Sequence, residues 1–178
     1  MIATIAAWPT LQTERLALRA LRPDDASDLT HLVDDAGVAR MTTAIPHPFP
    51  AGAAEDFIQR MIECDGRREG VFAIDVRERG FAGVLGFHPD EHGSPEIGYW
   101  LGRPYWGRGY MTEAVRGALK WARRDWRKNV VVAGHFADNP ASGQVLCKSG
   151  FLYTGDVELR PCAARGQAVP TRLMVWLA

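Results

Sequence analysis

The stretch LQTERLALRAL (residues 11–21) alternates apolar with other side chains from Leu16 onward, the two-residue period of a strand. The period then changes. RPDDASDLTHLVDD places acidic residues where a first helical turn exposes its N–H groups, and predicts a helix. TTAIPHPFPAG (42–52) holds three prolines and predicts an irregular segment. AAEDFIQRMIECD (53–65) gathers Phe57, Ile58, Met61 and Ile62 on one face of a second helix. VFAIDVRERGFAGVLGFHP (71–89) reads as two strands joined around Arg79 and Gly80, and EIGYWL (96–101) as another.

Helical spacing returns in TEAVRGALKWARRDW (112–126), where Ala114, Val115, Ala118, Leu119 and Ala122 share a face. Gly117 inside that helix costs about 1 kcal/mol against alanine and implies a close packing neighbour. VVVAGHF (130–136) predicts a strand and ASGQVLCKSG (141–150) a short helix stopped by Gly150. FLYTGDVEL and TRLMVWL predict two closing strands. Hairpins mixed with helices make the class α+β with a mixed sheet. No linker divides the chain, so residues 1–178 are expected to form one domain.

Charge narrows the functions. Lys plus Arg and Asp plus Glu both number 21, which argues against a nucleic-acid partner. The three cysteines, Cys64, Cys147 and Cys162, form no CxxC pair, so neither a zinc site nor a redox pair is expected. MIATIAAWPT lacks a basic region and a long apolar core, and no apolar run approaches the ~18 residues of a membrane span. The expectation is a cytoplasmic protein without a membrane partner, monomer or homodimer.

GRPYWGRGYMTEA (102–114) sets three glycines within eight residues between a strand and a helix. A helix start carries unpaired N–H groups and partial positive charge, and glycines let a ligand approach bare backbone. Together they make an anion site, most often for phosphate. The Gly-Lys-Ser/Thr of a Walker loop is absent, and Thr112 stands where a dinucleotide fingerprint needs its third glycine.

The combination of EIGYWLGRPYWGRGYMTEA (96–114) with AGHFADNPASGQVLCKSGF (133–151) resembles the GNAT superfamily of acyl-CoA-dependent N-acetyltransferases. Within it, the chain is most similar to the branch containing the ribosomal-protein N-terminal acetyltransferases. The resemblance implies a mostly antiparallel central sheet, flanked by helices and splayed between its fourth and fifth strands, here 96–101 and Val130–Phe136. Acetyl-CoA would lie in the split, its pantetheine arm bonding to backbone near Trp100 and Leu101 and to Asn139. The family's pyrophosphate loop, Q/R-x-x-G-x-G/A, falls on Trp106, Gly107, Arg108, Gly109, Tyr110 and Met111, with Thr112 continuing the helix. Two positions depart from that pattern. Trp106 replaces Gln or Arg, and Met111 replaces Gly or Ala, so the Met111 side chain must point away from the phosphates.

The implied reaction is attack of a primary amine, on a small molecule or a peptide, on the acetyl thioester, without a metal. A lysine-like amine is neutral in about 1 molecule in 2,500 at pH 7, a protein N-terminus in roughly 10–15%. A base therefore matters most for the first. The resemblance makes Glu96 the first candidate base, and His135 is the second; His88 and His92 are assigned to the turn before Glu96. The tyrosine with which many relatives protonate the thiolate is replaced by Leu146, leaving Ser142 as the nearest substitute. A thiol with pKa about 8.5 lies ~1.5 units above pH 7, so protonation gains only roughly 2 kcal/mol. A backbone N–H near Leu101 would face the thioester oxygen, a donor worth about 2.7–4 kcal/mol. The alternative, suggested by Leu146 and Met111, is a non-catalytic acyl-CoA-binding or regulatory module of the same fold. The basic stripe Arg116, Lys120, Arg124 and Lys128 reads as a solvated helix face.

Overall fold

The computed structural model describes residues 8–178 other than 65 and 67. Residues 1–7, where the expectation about a leader rested, and Asp65, expected to close the second helix, lie outside them. Eight strands form a sheet: β1 (Leu11–Gln12), β2 (Leu16–Arg19), β3 (Gly70–Val76), β4 (Gly80–Pro89), β5 (Pro95–Leu101), β6 (Val130–Phe136), β7 (Leu152–Cys162) and β8 (Gln167–Leu177). Their order is β1-β2-β3-β4-β5-β6-β8-β7, and every neighbouring pair is antiparallel except β5 with β6. The helices are α1 (Ala26–Val33), α2 (Ala36–Ala39), α3 (Ala53–Glu63), α4 (Tyr110–Arg124) and α5 (Pro140–Lys148). This is the expected mixed α+β fold. The two-residue β1 was not foreseen, and it makes the strands flanking the split the fifth and sixth.

Alternation along the strands sorts the core into two layers. Ile97 and Leu101 join Phe72, Leu85, Phe87 and Met174 under the α4 residues Met111, Val115, Ala118, Leu119 and Trp121. On the other face, Trp100 and Val84 pack with Phe81 against Leu29 and Val33 of α1 and Ile58 of α3. Gly117 has the neighbour its position implied: a Cβ there would lie 2.9 Å from the Thr13 methyl.

Three boundaries differ from the sequence reading. The first helix is shorter than the expected 22–35, since Pro23–Asp25 form a tighter turn and Asp34 ends α1; beyond it the Asp35 carboxylate accepts from the N–H groups of Gly37 and Val38 to start α2, which was not foreseen. His88 lies in β4 opposite Glu96, not in the turn; His92 does lie in the turn. β7 and β8 run past Pro161 and Pro170, which argued against strand. Pro161 is tolerated because β7 is the sheet's edge, and Pro170 because the pairing of β8 with β6 begins only at Thr171.

One buried ion network ties the layers together. Arg19 of β2 grips Asp25 through two bonds of 2.8 Å and Asp75 of β3 through bonds of 2.5 and 3.0 Å. Burial works to raise the Asp25 carboxyl, but the bonds from Arg19 and the Arg22 N–H outweigh it and hold it below its ordinary value. Removing Arg19 strands two carboxylates, so Arg19→Ala should lower the unfolding free energy by about 3–5 kcal/mol in urea titrations at pH 7. Because Asp25 titrates lower folded than unfolded, its contribution is full above about pH 4 and drains away as pH falls through the folded value. Asp25→Asn should therefore flatten the stability profile below pH 4.

Candidate functional site

The site begins where a sheet comes apart. β5 and β6 pair at Glu96 with Val132 and at Ile97 with Ala133, and register no further partners. From Gly98 on, β5 turns its backbone on that side away from any strand. α4 starts beside this opening. Gly107 and Gly109 hold φ of 71° and 77°, the left-handed region that favours glycine, and a Cβ on Gly107 would meet nothing within 4 Å. Gly109 caps α4 without any side-chain bond to the helix's first N–H groups. Tyr110 and Met111 are buried in the core, so the Met111 side chain meets the condition set for it.

The loop is braced from below. Arg15 donates 2.9 Å to the Arg108 carbonyl and 2.7 Å to Glu113, and its guanidinium lies 4.7 Å from the centre of the Tyr110 ring. Glu113 also accepts from the Thr13 hydroxyl at 2.6 Å and the Arg15 N–H at 2.7 Å. Partial burial raises the Glu113 carboxyl, yet these donors prevail and keep it low. Trp106 folds back, its indole N–H donating 2.7 Å to the Leu101 carbonyl. A groove of about 760 Å³ runs from Gly109 and Thr112 along α4 past Arg116, Lys120 and Lys148. The basic stripe is thus broken up: Arg116 donates to the Lys148 carbonyl, Arg124 pairs with Asp125, and Lys128 lies beyond the helix against the Trp126 ring.

The sheet's two faces carry different chemistry at the split. On the α5 side, Asn139 caps α5 by accepting from the Ser142 N–H at 3.2 Å. Ser142 meets Tyr99 of β5: the phenol oxygen is 3.0 Å from its Oγ and 3.2 Å from its carbonyl. Burial outweighs that bond and pushes the Tyr99 phenol well up, so it remains a proton donor at neutral pH. His135 is on this side too. Its Nδ1 lies 2.8 Å from the Phe136 carbonyl, which accepts only, so Nδ1 carries the proton and Nε2 accepts from the Tyr153 hydroxyl at 3.0 Å. Asp138 pairs with Arg165, not with His135.

On the opposite face, Glu96 is 8% exposed and its Oε1 pairs with Arg160 of β7. Burial opposes the Arg160 charge, but Glu96 and Glu158 hold its pKa above the ordinary value. Among the described residues Oε2 has no partner, and the carboxylate lines a cavity of about 760 Å³ that lies beneath α1, α3 and the proline-rich segment and continues through the split to Tyr99, His135 and Ser142. Glu96 and His135, the two candidate bases, are therefore on opposite faces.

A family profile described as the acetyltransferase (GNAT) domain matches residues 15–152. The chain belongs to the GNAT acetyltransferases. It is 32% identical over 151 residues to the uncharacterized N-acetyltransferase p20 of Bacillus licheniformis, covering 82% of this chain and 84% of that one. It is 30% identical over 89 residues to the ribosomal protein uS5 alanine N-acetyltransferase of Escherichia coli, 48% of this chain and 45% of that one. Among solved structures, RimL, a ribosomal L7/L12 α-N-protein acetyltransferase in complex with coenzyme A, superposes with a TM-score of 0.82 at 22% identity, covering 95% and 98% of the two chains. A spermidine N-acetyltransferase of Vibrio cholerae with CoA and spermine gives 0.76 at 17% identity, covering 93% and 96%. Both likenesses speak to the fold.

As a GNAT acetyltransferase the chain uses acetyl-CoA, and its residues fit that co-substrate: an open glycine turn, uncapped helix amides and a strand edge without a partner, all at one opening. Among the described residues no cluster of side chains suits a metal ion, and no helix is long and apolar enough to cross a membrane. Tyr99 and Arg160 escaped the sequence reading. For Tyr99 a signal existed, since alternation from Glu96 puts position 99 on the face opposite the glutamate. For Arg160 none did: its side chain crosses β8 and β6 to reach Glu96, passing where a Cβ on Gly134 would come within 3.1 Å of Nη1.

Arg15→Ala should release the Arg108 carbonyl and loosen the loop. The bond is charge-assisted, so CoA affinity in calorimetry should fall by about tenfold, with the fold intact by circular dichroism.

Proposed function

We propose that the protein transfers the acetyl group of acetyl-CoA directly to a primary amine, on a small molecule or a peptide N-terminus, in the cytoplasm. The observation that carries this reading is the division of labour at the split, with a carboxylate on one face, hydroxyls on the other, and a glycine-loop helix start beside them. Residues 107–112 would hold the diphosphate through main-chain N–H groups. Arg116, Lys120 and Lys148 supply positive charge along the adjoining groove. Trp100 and Leu101 would offer backbone to the pantetheine arm. Asn139 would offer its amide N–H groups, since Oδ1 caps the helix.

The amine enters from the Glu96 face. A bond forms from its nitrogen to the carbonyl carbon, the carbon–sulfur bond breaks, one proton leaves the nitrogen and one reaches the sulfur. Glu96 takes the nitrogen's proton, through a water at Oε2, with Arg160 fixing the carboxylate. Ser142, held by Tyr99, passes a proton to the sulfur as it takes one from a solvent water, so neither hydroxyl is left charged; Leu146 cannot play that part. Both ring nitrogens of His135 are occupied, which favours Glu96 over His135 as the base. Cys147 and Cys162 are free thiols, in keeping with a reducing compartment and with direct transfer that needs no cysteine intermediate.

Release of thiol from acetyl-CoA across a panel of amines tests the reading, since tight CoA binding with no turnover on any of them would overturn it. Glu96→Gln should cost about 10²–10⁴-fold in kcat/KM for an alkylamine and far less for an α-amine, which is already partly neutral at pH 7. Equal losses on both would remove Glu96 as the base. Ser142→Ala should lower kcat and leave KM for acetyl-CoA nearly unchanged.

A further inference from the structure

The cavity on the Glu96 face has walls of two kinds. Val33, Phe49, Phe57, Met61, Val84 and Trp100 make most of it apolar. Its fixed charges are Arg60, Glu69, Glu96 and Arg160, two of each sign, and Glu96 is already paired with Arg160. Its floor is bare at one place. Gly86 and Gly98 lie side by side on β4 and β5; the Val71 side chain fills the space beside Gly86, but a Cβ on Gly98 would meet nothing within 4 Å. Gly98 is also the first residue of β5 beyond its pairing with β6, so the open floor adjoins the split itself.

We infer that the acceptor is a monoamine attached to an apolar group about the size of a ring, which lies over the bare floor at Gly98, beside Val71, with its nitrogen at the split. The inference rests on the acetyl-transfer reading above and narrows its substrate. A polyamine brings several positive charges into the cavity, and each needs a carboxylate to offset its lost hydration. The walls hold no surplus of them. An apolar group instead displaces water from apolar walls, and a flat one fits the open floor at Gly98 against the Val71 side chain. A free aromatic amine and a peptide with an apolar first residue share this chemistry.

The test measures thiol release with four acceptors: 2-phenylethylamine, a tetrapeptide beginning with phenylalanine, ethanolamine and spermidine. At least one of the two phenyl-bearing acceptors should exceed both ethanolamine and spermidine about tenfold or more in kcat/KM, and the better of the two identifies the source. Spermidine or ethanolamine matching them overturns the inference and leaves acetyl transfer standing. CoA binding without turnover of any acceptor overturns acetyl transfer itself, and the inference with it.

A side chain at position 98 supplies an independent arm. Valine suits a strand, and no positive φ or close neighbour opposes it. Gly98→Val should lower kcat/KM for the better phenyl-bearing acceptor about tenfold or more, with CoA affinity within about twofold by calorimetry. Gly98→Ala should give a smaller loss in the same direction. Full activity of Gly98→Val on that acceptor overturns the inference.

Discussion

A β-strand must pair both edges, cover them or leave their polar groups to solvent or a ligand. β5 pairs its whole length with β4 but only Glu96 and Ile97 with β6. The rest of the site follows from that unfinished pairing. An edge with unspent N–H and C=O groups in mid-sheet suits an amide-rich arm lying as an added strand. The gap also joins the sheet's two faces, so in the proposed reaction the amine's proton and the thiolate's proton would be handled on opposite sides without competing.

The surrounding structure holds the gap open. α4 is anchored by the core residues on its buried face and by Glu113, which gathers Thr13 and Arg15 from the sheet's outer edge. Its first amides are therefore presented at a fixed place beside the opening. On the far side β6 is held by its full register with β8, and the Arg160–Glu96 pair bridges the strands across the parting. α5 completes the frame: Asn139 starts the helix and Ser142 meets Tyr99, so one hydrogen-bonded contact links the helix to the free edge of β5.

Local features made much of this legible. Alternation in β2 to β6, helical spacing in α4 and the glycine turn before it each depend on residues close in sequence, and the family resemblance joined them into a fold. Features decided across the sheet were not legible. The cap at Asp35 starts the short helix α2, which no periodicity in the sequence announced. The prolines at 161 and 170 masked strand residues because tolerance depends on which neighbours exist, and that is a property of sheet order. Arg160 is 64 residues from Glu96, and its guanidinium reaches the carboxylate by passing beside the bare Cα of Gly134. That Glu96 and His135 stand on opposite faces was hidden for the same reason, since the face each occupies is set by the β5–β6 register.

The central claim is that the parted strands and the glycine-turn helix start together hold the acyl carrier. Backbone hydrogen exchange of the protein with and without CoA measures this residue by residue. Added CoA should slow exchange at the amides of residues 107–112 and of Trp100 and Leu101. Protection elsewhere with these amides unchanged would contradict the account.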